Sequence, residues 1–336
     1  MATLTTATTN FSATVTALIV RTILDNLRAG LPHLPAEVAA LASHVKGTNG
    51  TFRFVAYPDF APDTTPLTEG VEFPEAEEQT MTIDYDEFTV AQRGGVVRSS
   101  DLALVQSPHD LVKQMVDKAS RHALVSIDEI AKGVWNTPVP GQITLRPTGA
   151  TSQGTTTAAM VITGALVRAA YAYLAGRDVP RVGSSPSDEQ GQVGGSYVGI
   201  AHPHVIADLK ADGATGGWTD VAKYASPKNL LSGEVGMYGG VRFIESTRAT
   251  VVPNVGSPGT VDIYKTFVSG RHAIAWADPA SLMASWLPPT PTKEDPLGQI
   301  AKAGWKAYVG GILTDAGAPG GRYLVIESAA SLGANA

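Results

Sequence analysis

Three groups of residues have types and spacings that could do chemistry. His202-Pro203-His204 offers two imidazoles two positions apart. Such a pair can begin a zinc site, but side chains at that spacing point to different sides, and no third ligand stands nearby in sequence. Asp84 and Asp86 fall on one face of an alternating segment, where two carboxylates could hold a hard cation. A solvated or partner-facing strand face is the favoured reading of that pair. The seven histidines are scattered; a hydrolase or transferase would have to gather His202, His204 or His272 across the fold. No phosphate loop, dinucleotide-binding glycine pattern, nucleophile elbow or zinc-protease helix motif occurs. With no cysteine, thiol nucleophiles, disulfides, thiolate metal sites and iron–sulfur clusters are excluded. Trp135, Trp218, Trp276, Trp286 and Trp305 are too far apart to form a stacking platform and read as core or interface anchors.

The elements around these residues are more informative. Residues 1–20 carry no charged side chain and no helical period, so they read as an arm. A short helix is expected near Pro35 to Val45. Thr51 to Tyr57 and Thr80 to Val90 alternate like strands, and between them lie about two dozen residues with four prolines and no clear period. A loop that long inside a packed domain is functional or lies on something else. From Arg53 to Arg98 there are ten acidic side chains against three arginines and no lysine. That surplus accounts for the whole net charge of −6.

Ser107-Pro108-His109-Asp110 reads as a helix start, with Ser107 as N-cap. Apolar residues then recur from Val112 to Val134 at spacings of three and four. The pattern predicts an amphipathic helix of about 29 residues, roughly 43 Å long. Downstream, an Ala-rich helix over 156–176, a buried strand at Tyr197–Ala201, a helix from His202, one or two short helices over 218–231, a strand at Val241–Glu245, and one or two strands within 264–276 imply an α+β block with a mixed sheet. Residues 277–296 read as a proline-rich linker, and 303–312 and 322–326 as two strands around a turn.

The 336 residues are 43% hydrophobic and 17% charged, enough for a real core. No basic tail could grip nucleic acid through its phosphates. There is no secretory pattern and no apolar run long enough for a membrane helix. The expectation is a protein kept in a cytoplasm, or in a particle assembled there.

An ordered set of stretches resembles the major capsid proteins of tailed bacteriophages, with the Hong Kong 97-type fold. They are Gly195-Ser196-Tyr197-Val198-Gly199-Ile200-Ala201-His202-Pro203-His204-Val205, then Lys223-Tyr224-Ala225, Gly233-Glu234-Val235-Gly236, Gly240 to Thr247, Asp295-Pro296-Leu297-Gly298-Gln299 and Gly304-Trp305-Lys306. The resemblance covers about residue 45 to the C-terminus. It implies an N-arm (1–30), a short helix and connection (31–48), an extended E-loop β-hairpin (49–105), a peripheral domain with a long spine helix (106–155), an axial domain with a mixed sheet (156–275), peripheral return strands (276–318), and a C-terminal axial strand and tail (319–336).

The function implied is a non-enzymatic subunit, without cofactor or metal, that self-assembles as hexamers and pentamers into an icosahedral shell. The shell would enclose double-stranded DNA without sequence-specific binding, in a virion assembled in the host cytoplasm and without a membrane partner. Other implied partners are a separate scaffolding protein, because the arm begins at Met1, a portal, and a cement protein. Some family members cross-link through an E-loop lysine; here the E-loop has none, so non-covalent interlocking is expected. Glu69, Glu72, Glu75, Glu77 and Glu78 are candidate inter-subunit contacts, with Arg21, Arg28, Arg121 and Lys302 as candidate basic partners. The alternatives are an encapsulin-like compartment shell and the soluble enzyme already named.

Overall fold

Alternation, helical spacing and glycine-rich breaks sort this chain into short strands around one long helix, as a computed structural model shows. It describes residues 31–35, 38–41, 43–44, 50–57, 60, 62–64, 66, 69, 78–107, 110–183, 195–212, 217–221, 231, 233–277, 283–291, 293, 295–315 and 321–332. The arm, 1–30, lies outside these.

In chain order come β1 (Ala39–Leu41), β2 (Ser43–His44), β3 (Thr51–Ala56), β4 (Asp84–Thr89), β5 (Ala91–Ser100), α1 (Asp101–Gln106) and α2 (Leu111–Trp135). Then follow β6 (Thr144–Leu145), α3 (Gly164–Ala175), β7 (Tyr197–Ala201), α4 (Pro203–Ala211), β8 (Thr219–Asp220), β9 (Glu234–Tyr238), β10 (Val241–Glu245), β11 (Val251–Gly256) and β12 (Val261–Ser269). Last are β13 (Ile274–Ala277), β14 (Met283–Leu287), β15 (Ile300–Leu313) and β16 (Tyr323–Ser328).

Among the described residues these make three sheets. An eight-stranded mixed sheet runs β6-β16-β12-β7-β10-β9-β8, with β11 on β12. A five-stranded sheet is built on β15, which pairs with β13, β14 and β5 along its length. The third is the β2-β3-β4 hairpin sheet. No described helix is long and apolar enough to cross a membrane.

The long helix α2 has 25 residues, about 37 Å. Met115, Val116, Ala119, Ala123, Ile127, Ala131 and Trp135 make its buried stripe. Its upper half lies on the β5–β15–β14 sheet, where Met115 and Ala119 pack with Ala303 and Trp286. Its lower half joins the main core with Ile274, Trp276, Phe267 and Val325. A second core sits between α3, α4 and the eight-stranded sheet around Tyr197, Phe243, Val268 and Ile326.

Some expectations need correction. Ser107 does not start α2: its backbone N–H closes α1 on the Ala103 carbonyl. Asp110 caps α2 instead, accepting from the Lys113 N–H at 3.1 Å. Two start signals lie close together, and Ser100, which caps α1 through its side chain, uses the first turn for itself. The short helix expected at 35–45 is replaced by strand: Ala39–Leu41 pairs in parallel with Ile274–Trp276. The backbone edge of β13 outweighs local propensity there. Thr219–Asp220 is strand, not helix, because it extends β9; residues 222–230 lie outside the described residues. The linker 277–296 contains β14. The last two strands do not form a hairpin: β15 and β16 belong to different sheets.

The hairpin expected over 49–105 divides at Val90. β4 pairs with β3, and β5 pairs with β15 over ten residue pairs, from Ser100↔Ile300 to Ala91↔Val309. Gly310 makes the handover possible. A Cβ there would stand 2.8 Å from the Thr89 carbonyl oxygen and 3.2 Å from Val90 Cα. Gly310→Val should therefore wedge the hairpin base off β15 and cost the free subunit about 1–3 kcal/mol. A urea unfolding midpoint equal to that of the parent chain would contradict this.

Candidate functional site

The hairpin presents two different faces. Inward, Phe52 stacks on Phe88 with ring centroids 6.1 Å apart, and Phe54 meets His272 edge-on at 6.4 Å. Arg322 lies over the Phe54 ring at 5.5 Å. Buried Asp86 accepts the Asp315 N–H at 3.1 Å. Burial pushes the Arg322 guanidinium below its ordinary range, and the negative Asp86 works against that shift. Asp86 thus ties the hairpin to the body. Asp84 shares its strand face but is exposed, and no group of three metal-binding side chains occurs among the described residues.

Outward, the hairpin shows Arg53 paired with Glu87, and Arg53 4.3 Å above the Tyr85 ring. Val55, Tyr57, Phe60, Met81, Ile83 and Tyr85 are all exposed. These six large apolar side chains on one thin hairpin cannot be covered by the hairpin itself.

A second uncovered surface is the face of the β5–β15–β14 sheet opposite α2. Its rows are fixed by register: Arg98 beside Lys302 beside Leu287, then Val96 beside Gly304 beside Ser285, then Gly94 beside Lys306 beside Met283. Val96 is 68% exposed, and Met283 and Leu287 are also open.

The candidate contacts fall as follows. Glu69, Glu78, Arg121 and Lys302 are exposed, Arg121 on α2 and Lys302 on β15. Arg21, Arg28, Glu72, Glu75 and Glu77 lie outside the described residues. The structure does not bring the acidic and basic sets together within one chain among the residues it describes.

Residues 143–278 match the family model described as phage capsid protein. Solved structures agree over nearly the whole chain. The capsid of Ralstonia phage GP4 aligns with a TM-score of 0.68 at 17% identity, covering 88% of this chain and 86% of the other. This chain has the phage capsid fold. The cyanophage Pam1 capsid aligns at 0.60 and 14% identity, over 85% and 86% of the two chains. A chain of the head structure of Helicobacter pylori bacteriophage KHP40 aligns at 0.59 and 14% identity, over 88% of each. No curated protein sequence matches significantly.

Within this capsid fold each histidine proposed for catalysis has a structural task. His202 is the N-cap of α4; its Nδ1 accepts the His204 N–H at 3.2 Å. His204 Nδ1 is 3.1 Å from the Tyr264 hydroxyl. His272 sits at φ 58°, and its carbonyl accepts the Thr314 hydroxyl at 2.6 Å. The Trp anchors also hold: Trp135, Trp276 and Trp305 are buried.

Burial, then the neighbouring His204 charge, lowers the His202 pKa below its usual 6.5. Burial likewise lowers that of His272, with help from Arg271 and Arg322. The folded chain therefore binds fewer protons than the unfolded chain as pH falls through 6.5. Stability is flat above that pH on this account and declines below it. His202→Asn keeps a capping side chain without a titrating ring. It should retain more of its pH 8 melting temperature at pH 5.5 than the parent does; identical acid sensitivity would remove His202 from the explanation.

Sequence reading missed Arg98, Lys306 and Val96 as a surface. The available signal was the stretch Ala91–Ser100, which holds two arginines and no acid.

Proposed function

We propose that this chain is a major capsid protein whose copies assemble as hexamers and pentamers into the icosahedral shell around the double-stranded DNA of a tailed bacteriophage. The carrying observation is the phage capsid family match seated on a fold shared with phage capsid structures. The hairpin supports the reading physically, since its exposed apolar face needs a neighbour to cover it.

On this reading residues 49–105 are the E-loop and its base, α2 is the spine of the peripheral domain, and 156–275 form the axial domain that clusters around the symmetry axes. Residues 276–318 return to the peripheral domain, 319–336 supply the last axial strand, and 1–30 are the arm. A separate scaffolding protein, a portal and a cement protein complete the particle. A net charge of −6 suits a container that must not grip the DNA it holds.

The test is electron microscopy of the purified chain, expressed with and without its neighbouring genes. Closed icosahedral particles or capsomer rings are expected. A monodisperse monomer or dimer in every condition, scaffold included, would overturn the proposal.

A further inference from the structure

A cavity of about 520 Å³ lies at the root of the hairpin, within the size range of small-molecule sites. The last turns of α2, the loop 137–140 and the end of β15 wall it. Ile130, Val134, Val139 and Leu313 supply its apolar lining, and Asp86 of β4 and Asp315 supply its carboxylates. Those two residues are neighbours, since Asp86 accepts the Asp315 N–H at 3.1 Å. None of the described residues that line the cavity is lysine, arginine or histidine. Arg322, whose charge acts on Asp86, sits over the Phe54 ring and is not part of the lining.

The place of the cavity on α2 adds to its negative character. Gly133, Val134 and Thr137 line it at the C-terminal end of the helix, where aligned peptide dipoles leave a partial negative charge. A cation is favoured there, beside the two carboxylates. Gly133 is a second sign of an occupant. Glycine inside a helix is destabilising relative to alanine. A Cβ at Gly133 would meet no described atom within 4 Å, so packing among the described residues does not call for glycine. What the missing side chain does is keep the cavity open. An occupant that matches this lining has an apolar body and a cationic head.

We propose that this cavity binds a small aliphatic ammonium ion, with its chain on Ile130, Val134 and Leu313 and its head at the Asp315 and Asp86 carboxylates. Charge-assisted hydrogen bonds hold the head, and removal of the chain from water supplies the rest of the affinity. A bound amine touches α2, β15 and the hairpin strand β4 at once, so it pins the root of the hairpin to the body. The proposal goes beyond the shell reading and does not depend on it.

The test uses the full-length unassembled subunit and n-hexylamine, with n-hexanol and hexanoate as matched probes. Hexylamine should bind saturably in calorimetry and raise the melting temperature. Hexanol should bind at least about tenfold more weakly, and hexanoate should not bind. Asp315→Asn keeps the backbone N–H that Asp86 accepts and should erase the preference for amine over alcohol. Gly133→Leu has room to project into the cavity, so it should abolish binding while the subunit melts no lower than the parent. With amine bound, hydrogen exchange at the Asp315 amide should slow. Equal binding of hexylamine and hexanol, or hexylamine binding that survives Gly133→Leu in a normally folded subunit, would overturn the proposal. Arg28→Gln should leave the affinity unchanged; tighter hexylamine binding in that variant would show that the arm's own guanidinium holds the place, and would overturn it too. Each of these failures would leave the shell reading standing, because no assembly is involved.

Discussion

Asp128→Ala should cost the unassembled subunit about 3–5 kcal/mol of stability. Asp128, on α2, is 1% exposed and faces His33, which is fully buried. One carboxylate oxygen accepts the His33 backbone N–H at 3.1 Å, and the other lies 2.9 Å from His33 Nδ1. Alanine would leave a buried backbone donor and a buried ring nitrogen without the carboxylate that both meet. Asp128→Asn keeps one acceptor and should lose about 1–3 kcal/mol. The check is a urea unfolding curve with unchanged slope. An alanine loss under about 1 kcal/mol would mean that the pair holds nothing. The apolar exchange His33→Leu with Asp128→Leu should recover only part of the loss, since it removes the buried ring nitrogen but leaves the backbone N–H of residue 33 without its acceptor.

Trp135→Ala should be as damaging, at about 3–5 kcal/mol. Trp135 closes the C-terminal end of α2 and is 1% exposed. Its ring meets Phe267 of β12 at 5.6 Å and Tyr323 of β16 at 5.7 Å, so the long helix is bolted to the eight-stranded sheet there. Its indole N–H donates to the His33 carbonyl at 2.7 Å. Trp135→Phe keeps much of the packing and loses that bond, so it should cost about 1–2 kcal/mol. His33 is held by both Asp128 and Trp135, so the two alanine losses should not add; a coupling of at least about 0.5 kcal/mol is expected. Strict additivity in the double variant would show that the two contacts are independent.

Where a segment's own period decided its state, the sequence was legible. The α2 stripe, the buried strand Tyr197–Ala201 and the helix capped by His202 stand where the pattern put them, because helical spacing and N-cap chemistry act within a few residues. Thr51 to Tyr57 likewise reads as strand and is β3. Ala39–Leu41 was misread because its state depends on pairing with β13, more than 230 positions away. Ser107 was misread because two nearby capping residues compete, and the geometry of α1 settles which is used.

The sites divide in the same way. Composition and spacing alone fixed the absence of thiol chemistry, the acidic surplus of 53–98 and the lack of lysine there, since these are counts that no fold can alter. The same reading left His202, His204 and His272 open as catalytic candidates, and only the folded chain assigns them to capping, a Tyr264 contact and a tight turn. Tertiary structure also decided that Arg98 stands beside Lys302 and that Asp128 holds His33. Those pairs join residues roughly a hundred or two hundred positions apart, and strand register and helix docking, which no local pattern encodes, bring them together.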